Sequence, residues 1–304
     1  MASPSELADG TVLLTGARGF TGAYVKAELE RAGCRVVGAV VADPAAGEVK
    51  LDLTDAANCR AVVEAVRPDY VVHLAAISFV QHADAAEFYR VNTVGTANLL
   101  QALVDAGLQP RRVLLASSAN VYGNAGGVIA ETQAPQPVNH YAASKLAMEH
   151  MAATYTERLP IVLTRPFNYT GAGQEARFLV PKIVSHFVRG ERVIELGNLD
   201  VERDFSDVRD VARIYRLLLG ADAAGQIVNV CSGRGFALRQ VIAAMQEIAG
   251  YEIEVRVNQS FVRVSEVKIV VGSPQRLWNL IGEQAAIPLP QTLQWMYSSD
   301  KGLH

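Results

Sequence analysis

Three groups of residues in this 304-residue chain have the types and spacing that redox chemistry at a carbonyl requires. Tyr141-Ala-Ala-Ser-Lys145 sets a phenol and an amine four residues apart, which on a helix places them on one face. A phenol with an ordinary pKa of about 10 is a poor proton donor or acceptor at neutral pH. A neighbouring ammonium stabilises the phenolate and draws that pKa towards the working range. Ser118, within Ser117-Ser118-Ala-Asn-Val-Tyr-Gly123, stands at the C-terminal end of a β pattern. There its hydroxyl would hydrogen-bond a substrate oxygen and steady the charge developing on it. Upstream, Thr15-Gly-Ala-Arg-Gly-Phe-Thr-Gly22 spaces Gly16, Gly19 and Gly22 by three at a strand-to-helix junction. Glycines let the backbone approach a pyrophosphate, and the helix N-terminus offers unpaired N–H groups and a positive dipole end. Each group alone has a plainer reading: a packing turn, a loop serine, a helix-surface pair. Their order along one chain points to a dinucleotide-dependent enzyme in which Ser118, Tyr141 and Lys145 are catalytic. Lys145 would also hold the nicotinamide ribose hydroxyls.

The elements that must position these groups alternate short β-branched runs with helical patterns, as in a parallel sheet with crossover helices. Strands are expected over 12–15, 35–41, 70–74, 112–117, 161–165 and 227–230, and helices over 20–32, 60–66, 86–106 and 141–157. The pattern loosens after Pro166 into glycine-rich loops, short helices and a lone strand at 252–257. The expected architecture is α/β: a Rossmann-type doubly wound parallel sheet with a smaller, discontinuous C-terminal substrate-binding α/β domain. Residues 1–166 and 207–232 would form the dinucleotide-binding domain, and residues 167–206 and 233–304 the second domain.

Selection between coenzymes rests on few residues. A carboxylate at the end of the second strand would accept bonds from the adenosine ribose of NAD. That strand ends here in Ala39-Val40-Val41, with Asp43 a few residues late. Arg18, inside the glycine turn, is either a partner for a 2′-phosphate or a solvated charge. On balance these residues favour NADP(H) over NAD(H). Asp52 either meets the adenine edge or belongs to a helix N-cap cluster with Thr54 and Asp55.

Composition excludes several other classes. Half the residues are hydrophobic, 19% are charged and the net charge is −3, so nothing points to nucleic acid or an anionic membrane. An anionic ligand would need local arginines instead. Cys34, Cys59 and Cys231 lack metal-ligand spacing and read as buried thiols, and the histidines show no metal pattern. Residues 1–10 lack the features of a secretion signal, and no apolar run is long enough to span a bilayer, so a cytoplasmic location is expected.

The order of glycine turn, Ser118 and Tyr141-x-x-x-Lys145 resembles the extended short-chain dehydrogenase/reductase family. Asp52-Leu53, His73-Leu-Ala-Ala76, Asn92-Thr-Val-Gly95 and Arg165-Pro-Phe-Asn168 extend the match over residues 12–282. The resemblance implies that Gly16, Arg18, Gly19, Phe20, Gly22, Asp52, Leu53, Leu74, Ala75 and Ala76 line the coenzyme, together with Tyr141 and Lys145. Three segments are similar to the branch of that family acting on GDP-mannose derivatives: 165–174, 196–205 and 263–272. That similarity implies a GDP-linked sugar, with UDP- or dTDP-linked sugars as lesser alternatives. Asn168, Arg203 and Arg263 would meet its diphosphate or ribose, and Val180 and Lys182 would frame the base. Glu266 is either a ribose ligand or the partner of an arginine, and Ser78 would lie beside the sugar. Dehydratases of this branch carry a glutamate two residues past the catalytic hydroxyl, whereas this chain has Asn120, which cannot shuttle a proton. The implied reaction is therefore NADPH-dependent reduction of a 4-keto-6-deoxy sugar nucleotide, with an NAD-dependent C4 epimerase as the alternative. Helices 86–106 and 141–157 correspond to those that pair across a two-fold axis in the family, implying a homodimer through a four-helix bundle.

Overall fold

The computed structural model describes residues 7–78, 84–261 and 267–302. In chain order the elements of the first half are β1 (Thr11–Thr15), α1 (Phe20–Arg31), β2 (Arg35–Val40), β3 (Glu48–Lys50), α2 (Ala56–Val66), β4 (Tyr70–His73) and α3 (Ala85–Glu87). A π-helical segment, Phe88–Gly95, leads into α4 (Thr96–Asp105), followed by β5 (Arg112–Ala116), β6 (Gly127–Ile129), α5 (His140–Ala153) and β7 (Ile161–Pro166). Then come β8 (Asn168–Thr170), α6 (Leu179–Val188), β9 (Val193–Leu196), β10 (Glu202–Asp207), α7 (Val208–Gly220) and β11 (Ile227–Val230). The chain continues through β12 (Gly235–Ala237), α8 (Leu238–Ala249), β13 (Glu254–Val257), β14 (Ile269–Gly272), α9 (Gln275–Ile281) and α10 (Leu289–Lys301).

Seven parallel strands form the main sheet in the order β11-β7-β5-β4-β1-β2-β3. Its strands are continuous apolar runs because both faces are covered. Along β1, Val12 and Leu14 point into one core with Val25 and Leu29 of α1, Val211, Tyr215 and Leu218 of α7, and Leu277 of α9. Leu13 points into the opposite core with Val62 and Val63 of α2, Leu99 and Leu103 of α4, and Met148 and Ala152 of α5. This is the two-residue alternation of a strand buried on both sides. Strand order reverses beside β1, so the crevice beyond the C-terminal ends of β1 and β4 is a topological switch point, where ligands of such sheets bind.

The doubly wound parallel sheet expected from the sequence is therefore present, and its differences from the sequence reading have local causes. α2 starts at Ala56 rather than Arg60 because the Asp55 carboxylate accepts from the N–H groups of Ala57 and Asn58. Asn139 caps α5 by accepting from Ala142 N–H at 2.8 Å, which puts Tyr141 in the first helical turn. The expected 86–106 helix is broken by its π-helical segment, a feature frequent at functional sites. β3 is only three residues long and has no periodicity to betray it.

A second sheet, β12-β10-β14-β6, has β8 paired to β10. α6, α8 and α10 form its core through Val180, Ile183, Phe187, Val241, Met245, Leu293 and Met296. Residues 127–129, counted with the dinucleotide half in the sequence reading, cross over to pair with β14. Conversely, α9, counted with the C-terminal domain, buries Leu277 and Ile281 in the core of the main sheet. Among the described residues, no helix is long and apolar enough to cross a membrane.

Candidate active site

The glycine turn joins β1 to α1 at the switch point. Gly16 has a φ of +70°, and a side chain there would put its Cβ 2.9 Å from Ala75 N. A Cβ on Gly22 would lie 2.1 Å from the Gly16 carbonyl oxygen, so Gly22 lets the helix close onto the turn. Gly19 is the N-cap of α1, where no side chain accepts from the first-turn N–H groups. In contrast, α2, α5 and α7 are capped by Asp55, Asn139 and Asp207. An uncapped helix start beneath a glycine turn fits a pyrophosphate. The opposite wall is the loop after β4: Leu74 N–H donates to Thr15 O at 3.3 Å and Ala75 N–H to Thr15 Oγ1 at 3.1 Å. Ala76 continues this half-buried loop, and Ser78 is exposed at its end. Asn92, fully buried in the π-helical segment, ties the loop to α5, accepting from Ile77 N–H and donating to Ser144 Oγ.

Ser118, Tyr141 and Lys145 converge beside this cleft, and all three are buried. Ser118 follows β5 and Tyr141 opens α5, which brings the serine hydroxyl close to the phenol. Burial pushes the Tyr141 phenol up to about 12, with Ser118 working against it and nearby Tyr169 with it. The depression expected from Lys145 is not seen, and desolvation dominates. Burial also lowers Lys145 to about 8, opposed by Glu149, while its Nζ donates to Ala116 O at 2.8 Å.

Beneath the triad lies an ion pair that the sequence reading missed. Glu149 accepts from Arg165 Nε at 2.9 Å, from Arg165 Nη2 at 2.6 Å and from Ser117 Oγ at 2.5 Å. Both charged side chains are only 4% exposed. The pair links α5, β7 and the end of β5, so it holds Ser118 in register with the helix bearing Tyr141 and Lys145. Its signal was the continued four-residue spacing Tyr141, Lys145, Glu149 along one helix face. His73 is also buried, with Nδ1 2.7 Å from Thr15 Oγ1 and Nε2 2.9 Å from Thr96 Oγ1. Desolvation, reinforced by Lys145, lowers it to about 3, so His73 is a neutral brace between β1, β4 and α4.

The other expected contacts divide. Phe20 stacks at 6.2 Å on Tyr169, whose hydroxyl is 2.8 Å from Thr21 Oγ1; this joins the glycine turn to the segment carrying Asn168. Asn168 is exposed at the start of β8. Arg203 lies on β10, and its Nη1 donates to Glu202 O at 2.9 Å and Lys268 O at 3.3 Å. Lys182 Nζ donates to Glu195 O at 2.9 Å and lies 4.9 Å from the Phe261 ring centroid. Val180, expected beside the base, is buried among Ile183, Leu238 and Leu293, so its side chain is used for packing. Leu53 is likewise a core side chain. Asp52 accepts from Thr54 N–H and Oγ1 within its own turn, and Asp55 is the cap. Arg18 is bound to Glu48 and the Asp43 carbonyl. Arg263 and Glu266 lie outside the described residues. Asn120 is exposed just past Ser118, so no carboxylate occupies that position. Among the described residues, no group of three or more His, Cys, Asp or Glu side chains is placed to hold a metal ion.

Residues 12–231 match the family model described as the NAD dependent epimerase/dehydratase family. A GDP-6-deoxy-D-talose 4-dehydrogenase of Aggregatibacter actinomycetemcomitans is 39% identical over 273 residues, covering 89% of this chain and 91% of that protein. A GDP-6-deoxy-D-mannose reductase of Pseudomonas aeruginosa is 36% identical over 243 residues, covering 76% of this chain and 80% of that protein. The solved structure of RMD from Pseudomonas aeruginosa complexed with NADPH superposes with a TM-score of 0.87 at 32% identity, covering 97% of this chain and 99% of that one.

Proposed function

The chain belongs to the NAD-dependent epimerase/dehydratase family, and from that premise we propose that it reduces the C4 keto group of a GDP-linked 4-keto-6-deoxyhexose. The observation that carries this reading is the convergence of buried Ser118, Tyr141 and Lys145 beside the uncapped glycine turn. GDP as the nucleotide is supported by the activities named for the Aggregatibacter and Pseudomonas relatives. NADP(H) is the proposed coenzyme, supported by the NADPH complex of the Pseudomonas structure and by the position of an arginine, Arg18, in the turn. In a dinucleotide held by the glycine turn and Lys145, the dihydronicotinamide would supply the hydride to C4. Ser118 donates a hydrogen bond to the keto oxygen and orients it, and Tyr141 delivers the proton that makes it a hydroxyl. Lys145 holds positive charge beside the phenol as that proton leaves. Asn120 cannot perform the acid–base step that elimination across C5–C6 requires, which favours reduction over dehydration.

The proposed substrate is GDP-4-keto-6-deoxy-D-mannose, and the product is GDP-D-rhamnose or its talose epimer, according to the face presented to the hydride. Asn168 and Arg203 are the proposed diphosphate contacts. A homodimer paired through α5 and the 85–105 helical segment completes the proposal; Val94 of that segment is an apolar side chain left 51% exposed.

The test follows NADPH and NADH oxidation with freshly prepared GDP-4-keto-6-deoxy-D-mannose and assigns the product's C4 configuration by NMR. Rapid oxidation giving one reduced GDP-sugar is expected. Tyr141→Phe should lower turnover by roughly 10²–10⁴-fold while still binding coenzyme, the range attributed to a positioned general acid. Interconversion of nucleotide hexoses without coenzyme consumption would replace this reading with the epimerase.

A further inference from the structure

The coenzyme cleft holds a charged pair outside the catalytic triad. Arg18 donates Nε to Glu48 Oε1 at 3.1 Å and Nη2 to Glu48 Oε2 at 2.5 Å, and Nη2 also reaches the Asp43 carbonyl at 2.7 Å. The carboxylate is the anchored member, with its side chain 9% exposed against 50% for Arg18. Ala45 N–H donates to Glu48 Oε2 at 2.9 Å. The Glu48 stem lies across Gly38, its register partner on β2, where a Cβ would come within 3.4 Å of Glu48 Cγ and 2.9 Å of Ala17 Cβ. Hydrogen bonding to Arg18 keeps the Glu48 carboxyl ionised by holding it below its ordinary range. Lys26 adds a weaker positive influence there, and Asp43 a negative one on Arg18.

A dinucleotide whose pyrophosphate sits on the α1 N-terminus places its adenosine ribose beside the end of β2, where an acidic residue reads a 2′-hydroxyl and an arginine a 2′-phosphate. This chain brings both kinds of group to that place, the acid from β3 rather than from the end of β2. We infer that Glu48 is a coenzyme-selectivity residue: it occupies and neutralises Arg18 and puts negative charge beside the 2′ position, narrowing the preference for NADP(H) and admitting NAD(H). The inference rests on the proposed assignment of a nicotinamide dinucleotide to this turn.

The experiment titrates NADPH and NADH directly into the purified protein, by quenching of its intrinsic fluorescence and by calorimetry, with no sugar present. In Glu48→Gln the preference for NADPH, read as the ratio of the two dissociation constants, should rise about tenfold. That is the scale of removing one unit charge a few ångströms from a phosphate at the protein surface. The gain should shrink in 0.5 M salt and vanish in the Glu48→Gln, Arg18→Met double variant. Arg18→Met alone, which leaves the carboxylate unscreened, should shift the ratio at least tenfold towards NADH, and it serves if Glu48→Gln does not fold. An unchanged ratio in both single variants, or equal loss of both coenzymes, overturns the role of Glu48. Failure of the unaltered protein to bind either coenzyme would instead overturn the dinucleotide assignment.

Discussion

Replacing Glu149 by glutamine tests the electrostatics beneath the triad. The substitution keeps the shape and one carbonyl acceptor but removes the charge that meets Arg165 through two hydrogen bonds of 2.9 and 2.6 Å. Arg165 is 4% exposed and cannot recover water as a partner. Removing one member of a buried pair costs about 3–5 kcal/mol, chiefly because the other charge is left uncompensated. At roughly 2 °C per kcal/mol for a chain of this length, Tm should fall by roughly 6–10 °C. A second consequence follows at Lys145, which burial lowers to about 8 against the opposing influence of Glu149. Without that carboxylate, Lys145 loses its proton at lower pH. In the proposed mechanism its charge supports Tyr141, so the alkaline limb of the rate profile should move to lower pH by roughly one unit, the scale of one nearby charge. Differential scanning fluorimetry gives the first quantity, and coenzyme oxidation from pH 6 to 10 gives the second. A lower Tm with an unmoved limb would leave Glu149 a purely structural residue. A Tm within about 1 °C of the unaltered protein would refute the argument entirely.

Two further predictions test the braces around the cleft. Gly22→Ala would force a Cβ onto the Gly16 carbonyl; it should destabilise the protein by roughly 1–3 kcal/mol and weaken NADPH binding more than tenfold by calorimetry, whereas Gly107→Ala, strained by its φ of +62° but in the turn between α4 and β5, should cost stability and leave binding alone. His73 is held near 3 in the folded protein against about 6.5 unfolded, so the unfolded chain binds more protons between these values and stability falls as pH drops through that window. Between pH 7.5 and 4.5 this amounts to roughly 3 kcal/mol, and in His73→Gln the loss measured by urea unfolding should be smaller by that amount; an equal loss would show that other groups dominate.

The nucleotide half was legible because its signals are local. β1 and β5 are short apolar runs, α1 begins at a glycine turn, and Tyr141 and Lys145 share a helix face through spacing alone. Helix boundaries depended on single capping side chains, as Asp55 and Asn139 show. The C-terminal half was less legible because its strands lack the apolar runs of the main sheet: β10 reads Glu-Arg-Asp-Phe-Ser-Asp. Its members are also far apart in the chain, and β6 joins its sheet only through pairing with β14.

The sequence by itself determined the doubly wound fold, the family, and the order of glycine turn, Ser118, Tyr141 and Lys145, because each follows from residue types at fixed spacing. Only the tertiary structure decided the charge partners. Glu149 meets Arg165 across two elements, and Glu48 meets Arg18 across 30 residues of chain. Val180, itself expected to frame the base, packs in the core. An ion pair and a burial state depend on which side chains are brought together and on how much water is excluded between them, and neither is a property of sequence spacing.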